Sequence, residues 1–194
     1  MKKFAYTVAA LSAISGMALA GTPSAKLSTP ASQAVPSSAF GANEFQFDLF
    51  GTYQLGNGPF HAGPLSSKTG GGGLGGAYFF TQNLGLAVDI ACLYGHQNAD
   101  FGAGHKTVTQ STGSVVLRIP YEEYSIAPYG FIGAGVTGGA GTWASGHAGV
   151  GVEYRLVPNA VGIFADARWT YYGDTQGRGD LNNVQGRAGV RFAF

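Results

Sequence analysis

From Glu44 to the last residue, apolar and polar positions alternate with a period of two, the spacing of a β-strand with two unlike faces. The first run, Glu44 to Leu55, sets Phe45, Phe47, Leu49, Gly51, Tyr53 and Leu55 against Glu44, Gln46, Asp48, Phe50, Thr52 and Gln54. At 12 residues it is longer than the strands usual in globular sheets and close to the ~9–11 of a tilted membrane strand. Further strands are predicted near 72–81 (glycine-rich, register open), 84–94, 107–119, 127–137, 143–156, 161–172 and 183–194. Pro120 cannot donate to a ladder and marks the end of the fourth strand, and Pro158-Asn159 marks the turn after the sixth. The connections run long (56–71, 97–106, 173–182) and short (82–83, 157–160) in alternation, with 120–127 the longest of the short set. That rhythm predicts an all-β, antiparallel, up-and-down barrel of about eight strands, with both termini on the short-turn side.

Composition turns the sheet into a membrane barrel. Charged residues make up only 11% of the chain, against ~25% in ordinary soluble domains. Hydrophobic residues reach 45%, yet no segment of the barrel region has the run of ~20 apolar residues that a spanning helix needs. A transmembrane barrel reconciles the two, since only alternate residues of each strand must be apolar. The net charge of +1 argues against nucleic-acid binding. At the amino end, Lys2 and Lys3, an apolar stretch from Phe4 to Leu19, and the small residues Ala18 and Ala20 make a secretory signal peptide with cleavage expected after Ala20. The expected organisation is a signal peptide over 1–20, a flexible Ser/Pro/Ala-rich leader over 21–42, and an outer-membrane barrel over 43–194. Cys92, the single cysteine, lies in an alternating run and reads as a small hydrophobe.

Charge placement sharpens the picture. Asp48, Asp89, Arg118, Glu153, Arg155, Asp166, Arg168, Arg187 and Arg191 all fall on the faces opposite the apolar ones. A lipid-facing Arg or Lys would cost ~2–4 kcal/mol at the bilayer midplane, so their complete absence from the apolar faces is what a membrane barrel demands. Inside an eight-stranded barrel there is barely room for side chains, so these nine residues are expected to pair into a network that plugs the lumen. A narrow porin passing small polar solutes is the alternative, because lumen glycines such as Gly149, Gly151 and Gly189 leave space.

The segments Gly186–Phe194 and Ala127–Val136 resemble strands of the small outer-membrane barrels of the OmpA, OmpX and opacity type. The resemblance covers about residues 43–194 and specifies architecture better than activity. It implies integral placement in the outer membrane after export through the general secretory pathway, contact with membrane lipids and lipopolysaccharide, and a monomer. It also implies that the C-terminal aromatics, Phe192 and Phe194, are recognised by the assembly machinery. No peptidoglycan-binding domain follows Phe194, so that role of larger OmpA proteins is not expected.

Other motifs carry less. Gly133–Gly138 matches G-x-G-x-x-G, but no helix follows and the chain has 33 glycines, so chance explains it. Ser145, His147 and Glu153 share a face and raise a lipid A-modifying hydrolase as a second alternative, but Glu153 lies about 20 Å along the strand from His147, too far to orient it. His61, His96 and His105 are loop or rim residues without metal-ligand spacing, and no metal or other cofactor is expected. Arg178-Gly179-Asp180 lies in the last outer loop, where a surface ligand could be recognised. Tyr94, Tyr121, Tyr124, Tyr129, Tyr154, Trp169 and Tyr171 are assigned to interfacial girdles. The expected role is structural or surface-interactive, through the outer loops, and not enzymatic.

Overall fold

Eight strands follow one another around a closed barrel, each hydrogen-bonded to its sequence neighbours and the last to the first, all antiparallel. They are β1 (Glu44–Leu55), β2 (Gly70–Phe79), β3 (Leu84–His96), β4 (His105–Arg118), β5 (Ile126–Gly138), β6 (Thr142–Val157), β7 (Val161–Asp174) and β8 (Asp180–Ala193). The computed structural model describes residues 38–55, 69–96, 105–139, 142–174 and 180–194. These belong to one compact unit, Pro36–Phe194; the unit Met1–Val35 lies outside the described residues, and with it the expected signal peptide and its cleavage residues Ala18 and Ala20. Closure leaves no strand edge unpaired, which the hydrocarbon of a membrane requires.

The first strand has the predicted bounds, while β3, β4, β6, β7 and β8 extend one to three residues beyond theirs toward the long-loop end. The glycine-rich β2 begins at Gly70 and puts Leu74 and Tyr78 outside, with Gly75, Ala77 and Phe79 inside. Short connections 80–83, 119–125 and 158–160 lie at the end that holds both barrel termini, the periplasmic end by the usual barrel topology. The second of them folds into a single 3₁₀ turn, Glu122–Tyr124, closed by Ser125 in the left-handed region. A register shift in the β6–β7 pairing between Arg155 and Val157 precedes the Pro158-Asn159 turn, where Asn159 has φ 52°.

The exterior is the apolar face. Val88, Ile90, Leu117, Ile132, Val150 and Leu156 are among the large side chains it exposes, and no Asp, Glu, Lys or Arg of the barrel wall whose side chain is described points that way. Cys92 is on this outer face and is exposed. The girdle assignment needs one correction. Tyr129 points into the lumen and is 6% exposed, because the register of β5 turns Ala127, Tyr129 and Phe131 inward.

The lumen is filled by pairing bulk with glycine across neighbouring strands. Phe131 and Arg168 lie on either side of Gly149 in the ladder, and a Cβ at Gly149 would collide with the Phe131 ring and the Ala167 carbonyl. Asp48 and Asp89 flank Gly75 in the same way, and a Cβ there would sit 2.6 Å from Asp89 Oδ1. Apolar clusters interleave with the charges: Ala77, Phe79, Val116, Tyr129 and Phe131 in one group, and Phe50, Ala91 and Phe164 in another.

Candidate functional site

Alternation places the charged side chains of β1, β3, β4, β6, β7 and β8 on the inner face, where burial obliges them to find partners. At mid-height, Arg187 grips Asp166 with two parallel bonds, Nε to Oδ1 and Nη2 to Oδ2, both 2.7 Å. Its Nη1 donates to Asp89 Oδ2 at 3.0 Å, and the same oxygen accepts from Arg168 Nη2 at 2.6 Å. Tyr129 donates its hydroxyl to Asp166 Oδ2 at 2.8 Å. Nearer the periplasmic end, Arg191 binds both oxygens of Asp48, at 2.7 and 2.6 Å, and Glu153 Oε2 at 2.6 Å. Glu153 also pairs with Arg155 Nε. Last come Arg118 Nη1 and Arg155 Nη2, which both donate to Glu44 Oε1, at 2.8 and 2.6 Å.

All nine residues of the expected network therefore lie inside the barrel and are ion-paired. Glu44 joins them as a tenth member, beyond the nine expected from the sequence. It makes five carboxylates for five arginines, so the described lumen is formally neutral. The signal for it was available: five inward arginines against four acids lack one partner, and Glu44 stands on the polar face of the first strand. The guanidinium faces are covered by aromatic rings. The centre of Arg191 lies 4.6 Å from the Phe164 ring and 5.5 Å from Tyr129, and Arg187 lies between Phe50 and Phe131 at 5.1 and 5.5 Å. Planar guanidinium groups suit this arrangement, binding carboxylates in their plane and rings on their faces. Between these groups the described lumen retains spaces on the scale of water molecules.

The hydrolase constellation is not assembled. Ser145 and His147 share the inner face, but His147 Nε2 is 2.7 Å from Ser114 Oγ, a contact made across Gly133, which has no side chain to separate them. Glu153 is held by Arg155 and Arg191 and does not orient the imidazole. His96 and His105 are partners in the β3–β4 ladder at its outer end, while His61 lies outside the described residues. Of Arg178-Gly179-Asp180, the first two lie outside the described residues and Asp180 opens β8. At the other end of β8, Phe192 and Phe194 pack on Phe47 and Phe45, ring centres 6.4 Å apart in each pair, where β8 closes on β1.

No family model matches the chain, and no curated protein is similar to it in sequence. Solved structures are. Neisserial surface protein A (NspA) aligns over 82% of this chain and 100% of its own, with a TM-score of 0.57 at 18% identity. The N-terminal β-barrel domain of OprF from Pseudomonas aeruginosa aligns over 79% of this chain and 99% of that domain, with a TM-score of 0.51 at 19% identity. The fold is that of the small outer-membrane β-barrels. With an apolar exterior and a closed wall, this places the protein in the outer membrane as an integral barrel.

Proposed function

We propose that the protein is a structural or surface-contact barrel whose lumen is closed to solutes, with recognition carried by the outer loops. The observation that supports this most strongly is the neutral lattice of five arginines and five carboxylates inside a wall of eight strands. A conducting pore of this width would need hydrated space along its axis, whereas here charges, aromatic rings and glycines interlock. The similar neisserial barrel is by name a surface protein, which fits a role in contact at the cell surface. In the same reading, Phe192 and Phe194 address the chain to the assembly machinery, Ala18 and Ala20 mark the signal cleavage, and the exterior is seated among outer-membrane lipids and lipopolysaccharide. The test is planar-bilayer recording of the refolded barrel. Silence is the expected result. Reproducible openings that disappear when Arg168 and Arg187 are neutralised would overturn the closed lumen in favour of a narrow porin.

A further inference from the structure

The periplasmic mouth of the lumen is covered by chain that precedes the barrel. Ala39 is 5% exposed and Phe40 is fully buried, although both lie before the first strand in a segment whose composition predicts only a flexible leader. The Phe40 ring faces two guanidinium centres, Arg118 at 5.0 Å and Arg155 at 5.2 Å, and Arg118 also lies over the Phe79 ring at 3.9 Å. Backbone groups of the segment are latched as well. Ala39 N donates to Glu122 Oε2 at 2.8 Å, and Gln82 Nε2 donates to the Phe40 carbonyl at 3.1 Å. Gly41 N donates to Glu44 Oε2 at 3.1 Å, the oxygen that the two arginines leave free. Asn43, at φ 57°, turns the chain from this seat into β1.

We propose that Ser38–Gly41 is a lid on the periplasmic mouth, anchored by Phe40 over the Arg118–Arg155 pair and latched to the 3₁₀ turn through Glu122. Its contacts have the character of a reversible closure. They come from a short segment held by one aromatic ring and a few hydrogen bonds, and one latch, Glu122, stands on an exposed turn. Short segments of this kind open locally at far lower free energy than the ladder beneath them. When it opens, periplasmic water reaches Arg118 and Arg155, while Arg168 and Arg187 stay shielded by the Arg191–Asp48–Glu153 layer.

The experiment uses the full mature chain refolded in lipid vesicles and treated with phenylglyoxal, an arginine-specific reagent, with modification sites mapped by mass spectrometry. The double variant Phe40→Ala, Glu122→Gln is expected to raise the modification rate of Arg118 and Arg155 by about tenfold or more and leave Arg168 and Arg187 unchanged. Equal rates at Arg118 and Arg155 in variant and parent, whether fast or slow, overturn the lid. A second measurement does not depend on that variant folding. In a Cys92→Ala background, Ala39→Cys should react with a polar maleimide about tenfold or more slowly than Tyr124→Cys on the exposed turn. Comparable rates mean the segment is not seated, and the proposal fails. Neither readout depends on conductance, so a leaky barrel would refute the closed-lumen reading and leave the lid to be judged on its own.

Discussion

Replacing Arg191 by Met tests whether charge pairing, and not mere bulk, holds the lumen together. Arg191 makes three charge-assisted bonds, two to Asp48 and one to Glu153. Glu153 retains Arg155 after the change, but Asp48 is left as a buried carboxylate at 5% exposure without its ion-pair partner. Breaking a buried pair from one side costs about 3–5 kcal/mol, most of it the uncompensated charge that remains. Removing both charges with Arg191→Met and Asp48→Leu takes that charge away, and apolar replacement of a buried pair is often close to neutral. The double variant should therefore recover at least about half of the loss, with a coupling above about 1 kcal/mol in the double-mutant cycle. Arg191→Lys should fall between parent and Arg191→Met, since a point charge cannot reproduce the two-bond grip on Asp48. Urea titration of the vesicle-refolded barrel, followed by tryptophan fluorescence and by heat-modifiable migration on gels, reads all five proteins: the parent, Arg191→Met, Asp48→Leu, their combination and Arg191→Lys. A single variant within about 1 kcal/mol of the parent, or a double variant no more stable than the single, would refute the reasoning. Arg191 would then act by filling space between Tyr129 and Phe164.

Two further perturbations address the packing of the wall. Gly149→Ala forces a methyl against the Phe131 ring and the Ala167 carbonyl and should destabilise the barrel by about 1–3 kcal/mol, whereas Gly146→Ala on the same strand meets nothing within 4 Å and should stay within about 0.5 kcal/mol of the parent. Equal effects at the two sites in the same urea titration would remove the bulk-against-glycine account. Val150, 67% exposed near the middle of β6, should face the hydrocarbon, so Val150→Arg should cost about 2–4 kcal/mol of stability in vesicles. A negligible change there would mean that this surface does not meet lipid.

The fold was legible in the sequence because a barrel wall makes the same demand on every strand. One face meets lipid and excludes charge, so the period and the sorting of charges agreed from Phe45 through Phe194, and strand number followed. What was not legible depends on contacts between strands distant in sequence. Glu44 was visible on the polar face, but its two partners are Arg118 and Arg155, 74 and 111 residues away, and only the closed barrel brings them together. Tyr129 was misassigned because aromatic residues near strand ends suit a girdle and a lumen equally, and the proline-glycine texture of β5 hides its register. Ser114 and His147 meet only because Gly133 lies between them on the intervening strand, a three-strand juxtaposition that no local spacing reveals. Phe40 lay in a segment whose Ser/Ala/Pro composition gives no period at all. Its role depends on a site made by other strands.

These features bear on where recognition can sit. A soluble barrel gains stability by keeping apolar side chains from water, but lipid is as apolar as the side chains it would replace, so the outer face of a membrane barrel contributes little to specifying its shape. Ladder hydrogen bonds and a well-matched lumen must then do that work, and here the match is made by interlocked charges, rings and glycines. The paired charges of this lumen are poorly suited to binding, because a carboxylate or guanidinium lent to a ligand would be withdrawn from its buried partner. The periplasmic end has short turns and is covered by the chain's own Ser38–Gly41 segment. The proposed recognition through the outer loops would leave both the paired lumen and this covered end undisturbed.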